Sequence, residues 1–108
     1  MYTGTHDNNT TKGWHRKDAT HLERENVNKY AGRLVTAEEV HDVFNRLAFG
    51  SVAKIAILPI QDLLGLDENS RMNRPGTTAK NWAWRLLPNQ LEGHPEKHLL
   101  FLTKLYNR

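Results

Sequence analysis

Tyr2-Thr3-Gly4-Thr5-His6-Asp7-Asn8-Asn9, almost at the start of the chain, decides the fold. Tyr2 to Thr5 is a short β-prone run that gives way at once to His, Asp and Asn. The change predicts a strand over 2–5 and a loop over His6 to Gly13, rich in Asn, Thr and Gly. Far along the chain, Lys54 to Ile60 holds Ile55, Ala56, Ile57, Leu58 and Ile60 around Pro59. Such a nearly continuous apolar run, ended by proline, suits a strand buried on both faces, as in a parallel sheet.

Helical periodicity fills the space between. Thr20 to Ala31 opens with Thr20 and Glu23 at capping-box spacing, carries Val27, Tyr30 and Ala31 on one face, and stops at Gly32. Thr36 to Ser51 is the clearest helix. Thr36 and Glu39 predict a second capping box, and Val40, Val43, Phe44, Leu47 and Ala48 make one apolar stripe. Trp14 to Asp18 is a polar stretch with one large aromatic. Gln61 to Leu66 predicts a helical turn closed by Gly65. Asp67 to Trp84, with its Asn, Pro and Gly, predicts an ordered loop, and loops that long are often functional. A last helix begins at Gly93 or His94, with Pro95 in its first turn and an apolar face of Leu99, Leu102, Leu105 and Tyr106.

The order is strand, loop, helices, strand, loop, helix, a β-α-β-α series of the α/β class. Two strands do not make a stable sheet alone. The pattern therefore predicts a single unit over 1–108 that is part of something larger. The last two β/α units of a (β/α)8 barrel fit, mostly helical with two short parallel strands. The position of the most informative loop at the chain's first residues supports the same expectation. Unpaired sheet edges and a half-covered apolar face predict self-association.

Composition narrows the function. The chain has 108 residues, 38% hydrophobic and 25% charged, enough for one small domain. Its mean hydropathy of −0.70 fits a chain short of core. With no cysteine, disulfides, thiolate zinc sites and Cys nucleophiles are excluded. No stretch nears the ~20 apolar residues of a membrane span, and no signal pattern begins the chain, so a cytoplasmic location and no membrane partner are expected. The net charge is +3, but twelve acidic residues are interleaved with fifteen Lys and Arg, and no basic run appears. That is a mildly basic surface rather than a nucleic-acid site.

Several residues could carry chemistry. His6 and Asp7 follow a predicted barrel strand, where barrel enzymes place catalytic groups. Read alone, the pair is more simply an Asp capping a turn beside a loop His. Asp62 also follows a strand, with a turn-capping role at least as good. Trp82 and Trp84, beside Asn81 and Arg85, could stack on sugar rings or anchor the loop. Asn73, Pro75 and Gly76 could face a ligand or simply form a turn. His94 and His98 have zinc spacing on a helix, but no third ligand accompanies them, so no metal and no cofactor are expected.

Taken together these stretches are more specific. Tyr2 to Asn8, continued by Thr10-Thr11 and Gly13-Trp14, resembles the leading motif of the amylomaltase, or 4-α-glucanotransferase, family. Pro59-Ile60-Gln61-Asp62-Leu63-Leu64-Gly65-Leu66, Arg71-Met72-Asn73 with Pro75-Gly76-Thr77, and Asn81-Trp82 with Trp84-Arg85-Leu86 resemble its later motifs, in order. Leu105-Tyr106-Asn107-Arg108 is similar to the family's close. The resemblance implies the final portion of a much longer (β/α)8 barrel enzyme that moves α-1,4-glucan segments between acceptors, with maltooligosaccharides as partners.

It also implies a retaining mechanism: an Asp nucleophile, a Glu acid/base and a second Asp that stabilises the transition state, the first two about 5 Å apart. The third carboxylate falls on Asp7 and the sugar-binding His on His6. Asn73, Trp82 and Asn8 become the expected substrate contacts. Asn9 stands where the family usually has Asp, and Lys12 and His15 are also departures, but His6 and Asp7 are intact. The nucleophile and acid/base lie upstream in the family, so the chain alone is expected to be inactive. A stand-alone carbohydrate-binding module without catalysis is the alternative.

Overall fold

The computed structural model describes residues 1–108. Its regular structure is helical: α1 (Thr11–Gly13), running into a π-helical turn (Trp14–Asp18), then α2 (His21–Ala31), α3 (Val40–Phe49), α4 (Ile60–Leu64), a 3-10 turn (Glu68–Ser70) and α5 (His94–Leu105).

Neither expected strand forms a ladder. The sheet is reduced to one parallel bridge between Tyr2 and Ile57. The Ile57 N–H donates to the Met1 carbonyl at 2.9 Å, and the Met1 amino group donates to Ile55 at 2.9 Å. The two segments do lie side by side and parallel, as expected. However, Ile55 and Ile57 are 68% and 58% exposed, not buried on both faces. Two short segments lack the neighbours that extend a ladder and cover it.

The helices follow their caps. At α2 the Thr20 hydroxyl accepts from the Glu23 N–H at 3.2 Å and the Glu23 carboxylate accepts from the Thr20 N–H at 2.7 Å. Gly32, at φ 74, ends α2 in a left-handed conformation that a side chain would disfavour. The second capping box forms only by half. Glu39 accepts from the Thr36 N–H at 3.1 Å, but it also takes Arg33 Nη1 at 2.7 Å, and α3 starts at Val40. The Thr36 carbonyl receives the Glu39 and Val40 N–H groups instead, so 36–39 is a turn before the helix. α3 also ends at Phe49, short of Ser51.

Val27, Val35, Val40 and Val43 form the core, with Trp14, Ala31 and Phe44 packed on it. Trp14 leans on Phe44 with ring centroids 5.7 Å apart. Leu47, on the expected stripe, stays 41% exposed and borders an apolar groove of about 780 Å³ with Tyr2, Trp14, Val27 and Tyr30. On α5 only Leu102 is fully buried, while Leu99 and Leu105 remain exposed, so its apolar face is only partly used. Arg108 buckles the chain end to the segment after α3, donating to the Phe49, Ser51, Ala53 and Lys54 carbonyls.

Candidate functional site

The loop over Gly4 to Thr10 carries His6 and Asp7 at the surface, with side chains 56% and 49% exposed. His6 Nε2 lies 3.3 Å from Asp7 Oδ1. The long loop after α4 closes on this pair from the other side. Asn73 Nδ2 donates to Asp7 Oδ1 at 2.7 Å, and the Asn73 N–H donates to the His6 carbonyl at 3.1 Å. Arg71 Nη2 donates to the Asp7 carbonyl at 2.7 Å, and its Nε to the Asn73 carbonyl at 2.8 Å. The Trp82 ring lies tilted against the His6 ring at 5.1 Å between centroids. Trp82 holds that place with φ 58, uncommon for a side-chain-bearing residue, and its N–H donates to the Met72 carbonyl at 2.6 Å.

Four of the five residues expected at the site lie together. His6, Asp7, Asn73 and Trp82 meet. Asn8 is adjacent, but its side-chain oxygen is committed to its own turn, accepting from the Thr5 N–H at 2.8 Å and the Thr5 hydroxyl at 3.0 Å. The loop over 67–84 is ordered by its own bonds. Arg74 N–H donates to Asn81 Oδ1 at 2.9 Å, and Asn81 Nδ2 donates to the Thr77 carbonyl at 3.0 Å. Arg85 Nη1 ties the Trp82 and Trp84 carbonyls together.

Two residues were undervalued in the sequence. Arg71 stood inside a recognised motif without a role. Asp62, left open between a residue after a strand and a turn cap, is 2% exposed and accepts from the Thr3 hydroxyl at 2.6 Å, the Thr11 N–H at 2.8 Å and the Thr11 hydroxyl at 2.8 Å. The signal was present: threonines flank the His6-Asp7 loop on both shoulders, and a carboxylate follows the second strand-like run.

Around the site, burial and then the Arg24 guanidinium push the His15 imidazole below its ordinary value. Its Nε2 is buried without a partner. Gly13 allows the turn above it to close, because a Cβ there would lie 2.9 Å from the Glu68 Cα. Two small cavities meet at the loop. One of about 260 Å³ borders His6, Asn8, Asp62 and Met72; another of about 380 Å³ borders Asp7, Asn8, Asp18 and Arg71. Away from the site, His94 and His98 stack at 5.6 Å, and His98 Nε2 meets Asp42 Oδ1 at 2.6 Å, an α3–α5 clasp.

Comparison with known proteins identifies the family. The 4-alpha-glucanotransferase family model, of glycoside hydrolase family 77, matches residues 1–90. The chain belongs to the 4-alpha-glucanotransferase family, as its motifs implied. It is 48% identical over 108 residues to a 4-alpha-glucanotransferase of Synechocystis sp., covering all of this chain and 21% of that protein. It is 46% identical over the same length, again 21% of the relative, to a 4-alpha-glucanotransferase of Streptococcus pneumoniae. More particularly, its structure superposes on an amylomaltase from Streptococcus agalactiae in complex with acarbose. The TM-score is 0.89 at 33% identity, over 99% of this chain and 21% of that one. The chain thus spans about a fifth of the length of the relatives it matches.

Proposed function

We propose that the chain forms one flank of the active site of a 4-alpha-glucanotransferase, which moves α-1,4-glucan segments between glucan and maltooligosaccharide acceptors with retention. The observation that carries this is the convergence of His6, Asp7, Asn73 and Trp82 from two loops, in a chain of this family. Asp7 is the transition-state stabiliser: its carboxyl, aimed by Asn73, faces the positive charge that develops on the sugar ring. His6 holds sugar hydroxyls from the same side. Trp82 offers an exposed aromatic face, and the amylomaltase it resembles binds acarbose by its name. The nucleophile and acid/base come from the remainder of a (β/α)8 barrel, of which this chain supplies the last two β/α units. The Tyr2–Ile57 bridge is the trace of its two adjacent strands. A cytoplasmic location belongs to the same reading.

The test is a titration of maltoheptaose or acarbose followed by Trp fluorescence, with a maltotriose disproportionation assay beside it. The chain alone is expected to give no disproportionation, and activity is expected once the rest of the barrel is supplied. Binding by the isolated chain that is lost on Asp7→Ala marks a preformed half-site. Disproportionation by the chain alone would overturn the division of labour. Sugar binding together with failure of the completed barrel to transfer glucan would favour a separate binding module.

A further inference from the structure

We infer that Asp62 is a positioning residue for the Asp7 carboxyl, fixing the catalytic loop through its two shoulders. The inference rests on the proposed role of Asp7. Thr3 and Thr11 bracket the loop that carries His6 and Asp7, and a single buried side chain holds both. One carboxyl oxygen of Asp62 receives the Thr3 and Thr11 hydroxyls at 2.6 and 2.8 Å; the other receives the Thr11 N–H at 2.8 Å.

Asp62 is in turn fixed from behind. Its backbone carbonyl accepts from Asn45 Nδ2 at 3.2 Å and lies 2.9 Å from His41 Nδ1, both on α3, and Asn45 is fully buried. α4 begins one residue after Pro59, and the Asp62 N–H donates to the Pro59 carbonyl at 2.9 Å, so the side chain projects from a closed turn. Asp62 and His6 border the same small cavity. A chain of rigid contacts thus runs from α3 through Asp62 to both ends of the loop. The other supports of Asp7 are different in kind. Asn73 and Arg71 belong to a long loop at the surface, whereas Asp62 belongs to the interior.

The chemistry selects Asp at this position. Three donors converge on two oxygens, and an Asp carboxylate offers acceptors alone. Asn can keep the Thr11 N–H bond through its oxygen while its amide donates to the rotatable hydroxyls. Ala leaves the Thr11 N–H and both hydroxyls without their buried acceptor. Loss of the clamp lets the loop shift, and a displacement of about 1 Å at a reacting group costs on the order of 10²-fold in rate.

The experiment uses the whole enzyme with this chain as its closing portion, and substitutes Asp62→Ala, Asp62→Asn and Thr11→Val. Amide exchange over residues 4–10 is followed by mass spectrometry against residues 21–31 as an internal reference, and kcat and KM are measured for maltotriose. Asp62→Ala is expected to raise exchange in 4–10 at least tenfold, leave 21–31 unchanged, and lower kcat between ten- and a hundredfold with KM within threefold. Asp62→Asn is expected to recover most of that loss. In an Asp7→Asn background the further loss on Asp62→Ala should shrink to less than threefold, because the residue acts through Asp7. Exchange that rises equally in both segments, or an Asp62→Ala penalty undiminished in the Asp7→Asn background, would overturn the inference and leave Asp62 a general support of the fold. Wild-type enzyme that transfers no glucan would instead overturn the functional reading, and the exchange measurement would still decide whether Asp62 holds the loop.

Discussion

Removing the Asn73 amide tests whether it aims Asp7 or touches sugar. Asn73 Nδ2 donates to Asp7 Oδ1 at 2.7 Å, while His6 Nε2 stands farther off at 3.3 Å. A hydrogen bond to a charged group contributes about 1.5–3 kcal/mol, and to a neutral one about 0.5–1.5. The Asp7 side chain is 49% exposed, so water competes and the contribution drops below the charged range into the upper part of the neutral one. About 1–1.5 kcal/mol of lost aim corresponds to a roughly five- to thirteenfold fall in kcat for Asn73→Ala. Asn73→Asp should be worse than Ala, because it sets one carboxyl against another where a donor stood. The assay is initial-rate disproportionation of maltotriose by the completed enzyme, with kcat and KM resolved. An unchanged kcat with a raised KM in Asn73→Ala would refute the aiming role and make Asn73 a plain sugar contact. Asp performing better than Ala would refute the electrostatic part of the reasoning.

Other outcomes follow from the core and the titrating groups. Leu102→Ala removes the one fully buried side chain of α5 and should cost about 2–5 kcal/mol, read from a urea unfolding midpoint. Burial, and then Arg24, lower the folded value of His15 below the unfolded one of about 6.5. The unfolded chain binds the extra proton, and stability that is complete above that pH should fall as pH is lowered through it; His15→Phe should flatten the decline in unfolding scans. Burial pushes the Asp42 carboxyl up, but bonds from Arg46 and His98 outweigh it and hold it below the usual range. Its stabilisation should therefore persist above the ordinary carboxylate range and vanish as pH falls below it. Asp42→Asn should remove that acid dependence. The isolated chain, with Leu22, Tyr30, Ile55 and Phe101 exposed, should sediment as dimers or larger species; a sharp monomer peak would count against this.

The helices were legible because their signals are local. Thr20, Glu23 and Gly32 specify the ends of α2 without help from the rest of the chain. The end signals of α3 were less decisive: Thr36 and Glu39 have the right spacing, but Arg33 competes for the Glu39 carboxyl and a turn forms first. The strands were misjudged in extent because an apolar run reports what a segment prefers to bury, not what lies next to it. The grouping of His6, Asp7, Asn73 and Trp82 was legible through motifs whose order matched a family, not through periodicity. The contacts of Asp62 and Arg71 stayed hidden because their partners, Thr3, Thr11 and the Asp7 carbonyl, lie 51–64 residues away in sequence.

The bond from Asn73 to Asp7 spans 66 residues. That separation makes the site a late event in the life of each molecule. The bonds that cap α2 are local, while the loop over Gly4 to Thr10 must wait for a partner not yet made. At about 5–20 residues per second, a ribosome needs roughly 3–13 s to deliver Asn73 after Asp7. Closing so long a loop must also overcome its entropy before any contact rewards it. During that interval the loop that carries His6 and Asp7 lacks its bond from Asn73. Assistance from a chaperone at that stage should therefore raise the yield of competent sites without altering the finished site.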